Sequence, residues 1–123
     1  MGQLIYGFGP AIEIDDWGLR HLELVMLTKL RRDESFRFHW DEEPGVAGDL
    51  EKPGCHGTLW LSKSSQLYFS YGSALDRPLN GQWLSVLVNA ANGNQGLRLL
   101  PEPSGTPSAP IPPAARSMQH APA

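Results

Sequence analysis

Four groups of side chains in this 123-residue chain are of types that do chemistry. Cys55-His56, with His39 and Asp41, offers a thiol, two imidazoles and a carboxylate, the donors of a metal centre or of a thiol nucleophile with its base. Glu42, Glu43, Asp49 and Glu51 gather carboxylates in one segment. Lys29, Arg31, Arg32 and Arg37 are cations suited to phosphate. Arg37 also belongs, with His39, Trp60 and Tyr68, to an aromatic and cationic set of the kind that stacks on bases or anchors a protein partner.

The first two groups do not fit their chemistry. Cys55 is the single cysteine, so no second thiolate can complete a metal site around it, and it lies in a glycine-bounded loop. The acidic segment lacks the spaced Asp-x-Asp-x-Asp-Gly order of a calcium loop and reads as solvated carboxylates. No Gly-x-x-x-x-Gly-Lys loop, Gly-x-Ser-x-Gly elbow, His-Glu-x-x-His or Cys-x-x-Cys pair occurs. Gly7 and Gly9 match half of a dinucleotide fingerprint, but Ile12 stands at the third glycine position. The expectation is no catalytic residue, no metal and no cofactor.

Composition bounds what remains. Ten basic and 13 acidic residues leave a formal charge of −3, without the cationic field of a bulk nucleic-acid coat, so any such contact must be local. One cysteine excludes an internal disulfide framework and favours a reducing compartment. No run reaches the length of a membrane span, and the first residues do not read as a signal peptide. The chain is expected to be soluble and cytoplasmic, with no membrane association.

The elements that must hold these groups follow from periodicity. Leu19, Leu22, Met26 and Leu30, with Leu27 beside them, form the apolar stripe of a helix over residues 16–32. Asp15 or Asp16 caps its start, and Lys29, Arg31 and Arg32 suit the negative end of its dipole. His21 is expected on its surface, and Gly18 in its first turn has no evident reason. Ahead of it, Leu4-Ile5-Tyr6 and the alternating Ile12 and Ile14 predict a hairpin. After it, Phe36, Phe38 and Trp40 alternate with Arg37, His39 and Asp41, the period of two of a strand with one buried face. Residues 56–62 and 66–71 predict two more strands, joined by the Lys63-Ser64-Ser65 turn, and residues 42–54 are expected as an acidic loop.

Because a one-residue slip turns every apolar side chain to water, the pattern also predicts register. Phe36 is set opposite Leu61, Phe38 opposite Leu59 and Trp40 opposite Gly57. The next hairpin is expected to pair Leu61 with Leu67, Leu59 with Phe69 and Gly57 with Tyr71. The outer face would then carry Arg37 beside Trp60, Trp60 beside Tyr68, His39 beside Thr58 and Asp41 beside His56.

Asn80 is the expected N-cap of a second helix buried through Trp83, Leu84, Leu87, Val88 and Ala91, with Gly93 as a left-handed stop. Leu97, Leu99 and Leu100 predict a last strand. Seven of the 11 prolines fall in residues 101–123, including Pro110-Ile-Pro-Pro113, so an extended, disordered, Pro-rich tail is expected. The prediction is an α+β fold over residues 1–100, order β-β-α-β-β-β-α-β, with two helices packed on one face of a mainly antiparallel sheet.

Met-Gly-Gln-Leu-Ile-Tyr-Gly at the start, Ile-Glu-Ile-Asp-Asp at 12–16, Thr-Lys-Leu-Arg-Arg at 28–32 and Ser-Phe-Arg-Phe-His-Trp at 35–40 resemble a family of short actinobacterial proteins of undefined function. Gly57-Thr-Leu-Trp-Leu61, Leu79-Asn80 with Trp83, and residues 96–103 extend the resemblance. Members often carry the label ATP-dependent DNA ligase. The nucleotidyl-accepting Lys-x-Asp-Gly of true ligases is missing: Lys29, Lys52 and Lys63 are followed by Leu-Arg-Arg, Pro-Gly-Cys and Ser-Ser-Gln. Two expectations follow. The first is a non-catalytic binding module acting through Arg37, His39, Trp60 and Tyr68 on a protein partner or on a second copy. The alternative is a DNA- or RNA-binding accessory that places Lys29, Arg31, Arg32 and Arg37 on phosphates.

Overall fold

The computed structural model describes residues 1–7, 9–73 and 77–103. Phe8, part of the loop after residue 72, and the Pro-rich segment from residue 104, with its Pro110-Ile-Pro-Pro113, lie outside the described residues.

Gly2–Tyr6 (β1) and Ala11–Ile14 (β2) form the expected hairpin, Leu4 opposite Ile12 and Gly2 opposite Ile14. β2 leads through Asp15 into Asp16–Arg31 (α1). The Asp15 carboxylate accepts the Gly18 N–H at 3.1 Å, satisfying one of the orphan amides of the first turn. Phe36–Trp40 (β3), Val46–Asp49 (β4), Gly57–Leu61 (β5), Leu67–Ser70 (β6) and Gly81–Asn92 (α2) complete the elements. The α+β class, antiparallel strands with two helices, is present as the sequence predicts.

Helix α1 is buried over a wider arc than its leucine stripe. Gly18, His21, Val25 and Lys29 join Leu19, Leu22 and Met26, because α1 contacts β1 on one side and α2 on the other. Leu27, expected with the stripe, is exposed, as is Leu24. Gly18 now has a reason: a Cβ there would stand 2.9 Å from Leu99 Cδ2, so the absent side chain is the space Leu99 occupies.

The strands divide into a sheet of order β4-β2-β1-β6 and a pair β3-β5. The β3–β5 register is the predicted one throughout, Phe36 opposite Leu61, Arg37 opposite Trp60 and Trp40 opposite Gly57. The next pairing is corrected. The Ser62–Ser65 turn forms, with the Ser65 N–H donating to the Ser62 carbonyl at 2.9 Å, but β6 does not pair with β5. It pairs with β1, Leu67 opposite Tyr6, Tyr68 opposite Ile5 and Phe69 opposite Leu4. Alternation fixes which face of β6 is buried, and pairing with β1 satisfies that demand by packing Phe69 against the core beside Leu4.

Residues 42–54 are likewise more than a loop. β4 pairs with β2, Val46 opposite Ile14 and Asp49 opposite Ile12, and buries Val46. The last expected strand is reduced to one parallel bridge, Leu97 beside Phe38. Gly93 has φ −84° and is not the left-handed stop; the left-handed residue is Gly96, at φ +82°. From there Leu97 and Leu99 enter the core, so residues 97–102 close over both helices rather than trailing from them.

Candidate interaction surface

Strand β3 positions the outward row. The His39 N–H donates to the Leu97 carbonyl at 2.8 Å, and the Leu97 N–H donates to the Arg37 carbonyl at 2.8 Å. With those backbone groups turned to Leu97, the ladder to β5 runs through Phe36, Phe38 and Trp40, whose side chains are buried. Arg37 and His39 therefore project outward. Opposite them, Trp60 is 59% exposed, and Thr58 Oγ1 lies 3.0 Å from His39 Nδ1. The Arg37 guanidinium donates to the Asn94 carbonyl, while its Cα stands opposite that of Trp60.

Tyr68 does not sit next to Trp60 in a ladder, as the meander would require. It projects from β6 opposite Ile5 and is 63% exposed. Ile5, Gly7, Ser65, Gln66, Leu67 and Tyr68 line an open groove of about 470 Å³. Tyr6 links the two regions, because its hydroxyl donates to the Trp60 carbonyl at 3.1 Å while its backbone lies opposite Leu67. Sequence reading missed Tyr6; a tyrosine ending an apolar run gives no sign of reaching another sheet. Asp41 lies outside the β3–β5 ladder, and His56 stands with its ring centroid 5.9 Å from that of His39. Cys55 is exposed. Among the described residues, no three His, Cys, Asp or Glu side chains converge.

The cationic set is not assembled on one surface. Lys29 is buried, donates to Asn92 Oδ1 on α2 and pairs with Glu34 at 2.9 Å. Arg32 meets the same carboxylate at 3.4 Å, and the Lys29 bond holds the Glu34 carboxyl below its ordinary value. Arg31 is exposed at the end of α1.

His21 is corrected from surface to interior, at 0% exposure. Its Nδ1–H donates to the Trp17 carbonyl at 2.8 Å and its Nε2 accepts the Asn80 N–H at 2.8 Å, a pair of bonds that only the neutral ring makes. Burial pushes its pKa down. The ring lies between Trp17 and Trp83, at 4.6 and 4.5 Å between centroids. Glu102 accepts from Trp17 Nε1 at 3.2 Å and from Asn80 Nδ2 at 2.9 Å, and the Asn80 bond lowers its pKa. Arg77 covers the Trp17 ring at 3.7 Å. Both ring nitrogens are engaged, so this cluster works as a junction between α1, the N-cap of α2 and the last described residues.

Fold and surface together define a small α+β protein with two outward aromatic rings on separate sheets. The chain belongs to the family described as Domain of unknown function (DUF7882), which matches residues 1–102. No curated protein and no solved structure matches it. No helix among the described residues is long and apolar enough to cross a membrane.

Proposed function

We propose that the chain is a non-catalytic interaction module whose protein partner, a second copy included, meets the surface of Arg37, His39, Trp60 and Tyr68. The observation that carries this reading is the exposure of Trp60, 59%, on a strand whose other large side chains, Leu59 and Leu61, are buried. A large ring left in water on the outward row of a strand has the composition of a binding anchor, and covering an aromatic ring contributes on the order of 1–3 kcal/mol. A photo-crosslinking residue placed at position 60 or 68 of the full chain, in the cells that make it, tests the idea. Protein adducts from 60 and 68, and none from the exposed turn position 63, are expected; silence at both 60 and 68 overturns it.

The nucleic-acid reading draws on the ligase label of the resembling proteins and on exposed Arg31 and Arg32. It has less support, because Lys29 is committed to Glu34 and Asn92, and Arg37 to Asn94. Salt-dependent retention of an oligonucleotide, lost on charge reversal at Arg31 and Arg32, is required of it. Absence of retention at low salt ends it.

A further inference from the structure

Strand β5 has one edge on β3 and one that no described backbone covers. Since Arg37 and His39 turn their backbone groups to Leu97, the directly bonded pairs of the β3–β5 ladder are Phe36 with Leu61, Phe38 with Leu59 and Trp40 with Gly57. The N–H and C=O groups of Thr58 and Trp60 consequently point the other way. Among the described residues the Trp60 carbonyl accepts from the Tyr6 hydroxyl, and the backbone of Thr58 has no bonded partner.

Exposed edges are normally guarded by lysine, other charges, proline or a bulge. The edge of β4 is guarded: Asp49 lies in the strand, and Glu42, Glu43 and Glu51 flank it. β5, Gly-Thr-Leu-Trp-Leu, has no charge and no proline, and its ladder with β3 is regular. It also belongs to a two-stranded sheet, below the three or more strands that make a sheet stable in its own right.

We infer that β5 pairs with β5 of a second copy, antiparallel about a two-fold axis at Thr58, giving a continuous sheet of order β3-β5-β5-β3. This rests on the interaction-surface reading and names its partner and geometry. Thr58 is the centre because, among the described residues, both its backbone groups are uncommitted, whereas the Trp60 carbonyl already holds the Tyr6 hydroxyl. Each Thr58 N–H donates to the Thr58 carbonyl of the other copy. The outward rows then join, each Trp60 indole facing His56 of the other copy. A second copy fits because a neutral strand set against itself brings no like charges together along the ladder, which the acidic surroundings of β4 would not allow.

The register sets the test. Directly opposed residues of a bonded antiparallel pair have Cα atoms about 5.5 Å apart, inside the roughly 4.4–6.8 Å that a disulfide spans. Thr58→Cys in a Cys55→Ser full chain is therefore expected to form an intermolecular disulfide under mild oxidation, and Ser64→Cys in the same background is not. In sedimentation, the wild type dimerises at chain concentrations up to about 100 µM, the weak range of a small interface. Trp60→Lys weakens the dimer by about tenfold or more while leaving thermal unfolding of the monomer unchanged. A wild-type monomer at that concentration, or a dimer that Thr58→Cys fails to link, overturns the inference. If either result comes with heterologous adducts from position 60, the interaction surface stands without self-pairing. If neither position 60 nor position 68 gives an adduct of any kind, both readings fall together.

Discussion

His21 occupies a position that helical periodicity cannot mark as special, one residue before Leu22 and two after Leu19. A histidine at that spacing suits either a solvated flank or a second buried side, and only the arrival of α2 decides between them. Once Asn80 donates its backbone N–H to the ring, the neutral form is required. The folded pKa lies below the unfolded value of 6.5, so below that value the unfolded chain binds the proton more readily and stability falls with pH. Unfolding at a series of pH values from 7.5 to about 5 should show this loss, and His21→Ala should abolish the histidine part of the slope. The same substitution should destabilise the protein by about 2–4 kcal/mol at pH 7.5, through the cavity and the unsatisfied Asn80 amide. Asp16 and Glu102 titrate in the same sense at lower pH. Hydrogen bonds, from the Gly72 N–H to Asp16 and from the Asn80 amide to Glu102, hold both carboxyls below their ordinary values. Their contribution is present above the ordinary carboxylate range and is lost as pH falls through the lowered values.

Strands and helices were legible wherever one period runs unbroken. Phe36, Phe38 and Trp40 set against Leu61, Leu59 and Gly57 gave the β3–β5 register residue by residue, Asn80 marked the start of α2, and Asp15 or Asp16 that of α1, where the cap is Asp15. Pairing partners were not legible in the same way, because alternation states which face is wet and is silent about which edge bonds. The tight turn after β5 suggested a hairpin, yet the next strand found β1. β4 was hidden because Val46 is its one large apolar residue amid carboxylates and glycines. As for the surface, Arg37 and Trp60 could be set side by side from the sequence, whereas Tyr68 could not be placed once its expected neighbour was lost. At this scale Gly18→Ala is informative. Helix propensity alone favours alanine by about 1 kcal/mol, but the new Cβ would meet Leu99 at 2.9 Å. Thermal unfolding should show a net loss of about 1–2 kcal/mol; a gain would mean that Leu99 moves aside freely.

Across the whole molecule, two sheets and two helices share one core, and residues 97–102 tie its parts together. Leu97 bonds to β3, Leu99 fills the hollow at Gly18, the Leu100 carbonyl accepts from Trp83 Nε1 at 2.8 Å, and Glu102 joins Trp17 to Asn80. Leu97→Ala removes a fully buried side chain at this junction and should cost about 2–5 kcal/mol in denaturant unfolding. The Arg98–Glu43 pair at 2.6 Å is partly solvated, and breaking it with Arg98→Ala should cost about 1 kcal/mol or less. That contrast separates a segment held by its apolar anchors from one held by surface charge.

Placing the closing anchors so late also schedules the birth of the protein. At roughly 5–20 residues made per second, the ribosome delivers Leu97 on the order of 5–20 s after β1. Until α2 and Leu99 arrive, the side of α1 that carries Gly18 and His21 stays bare and open to chaperones. A chain cut short ahead of Leu97 would therefore be a substrate for proteolysis rather than a smaller folded domain.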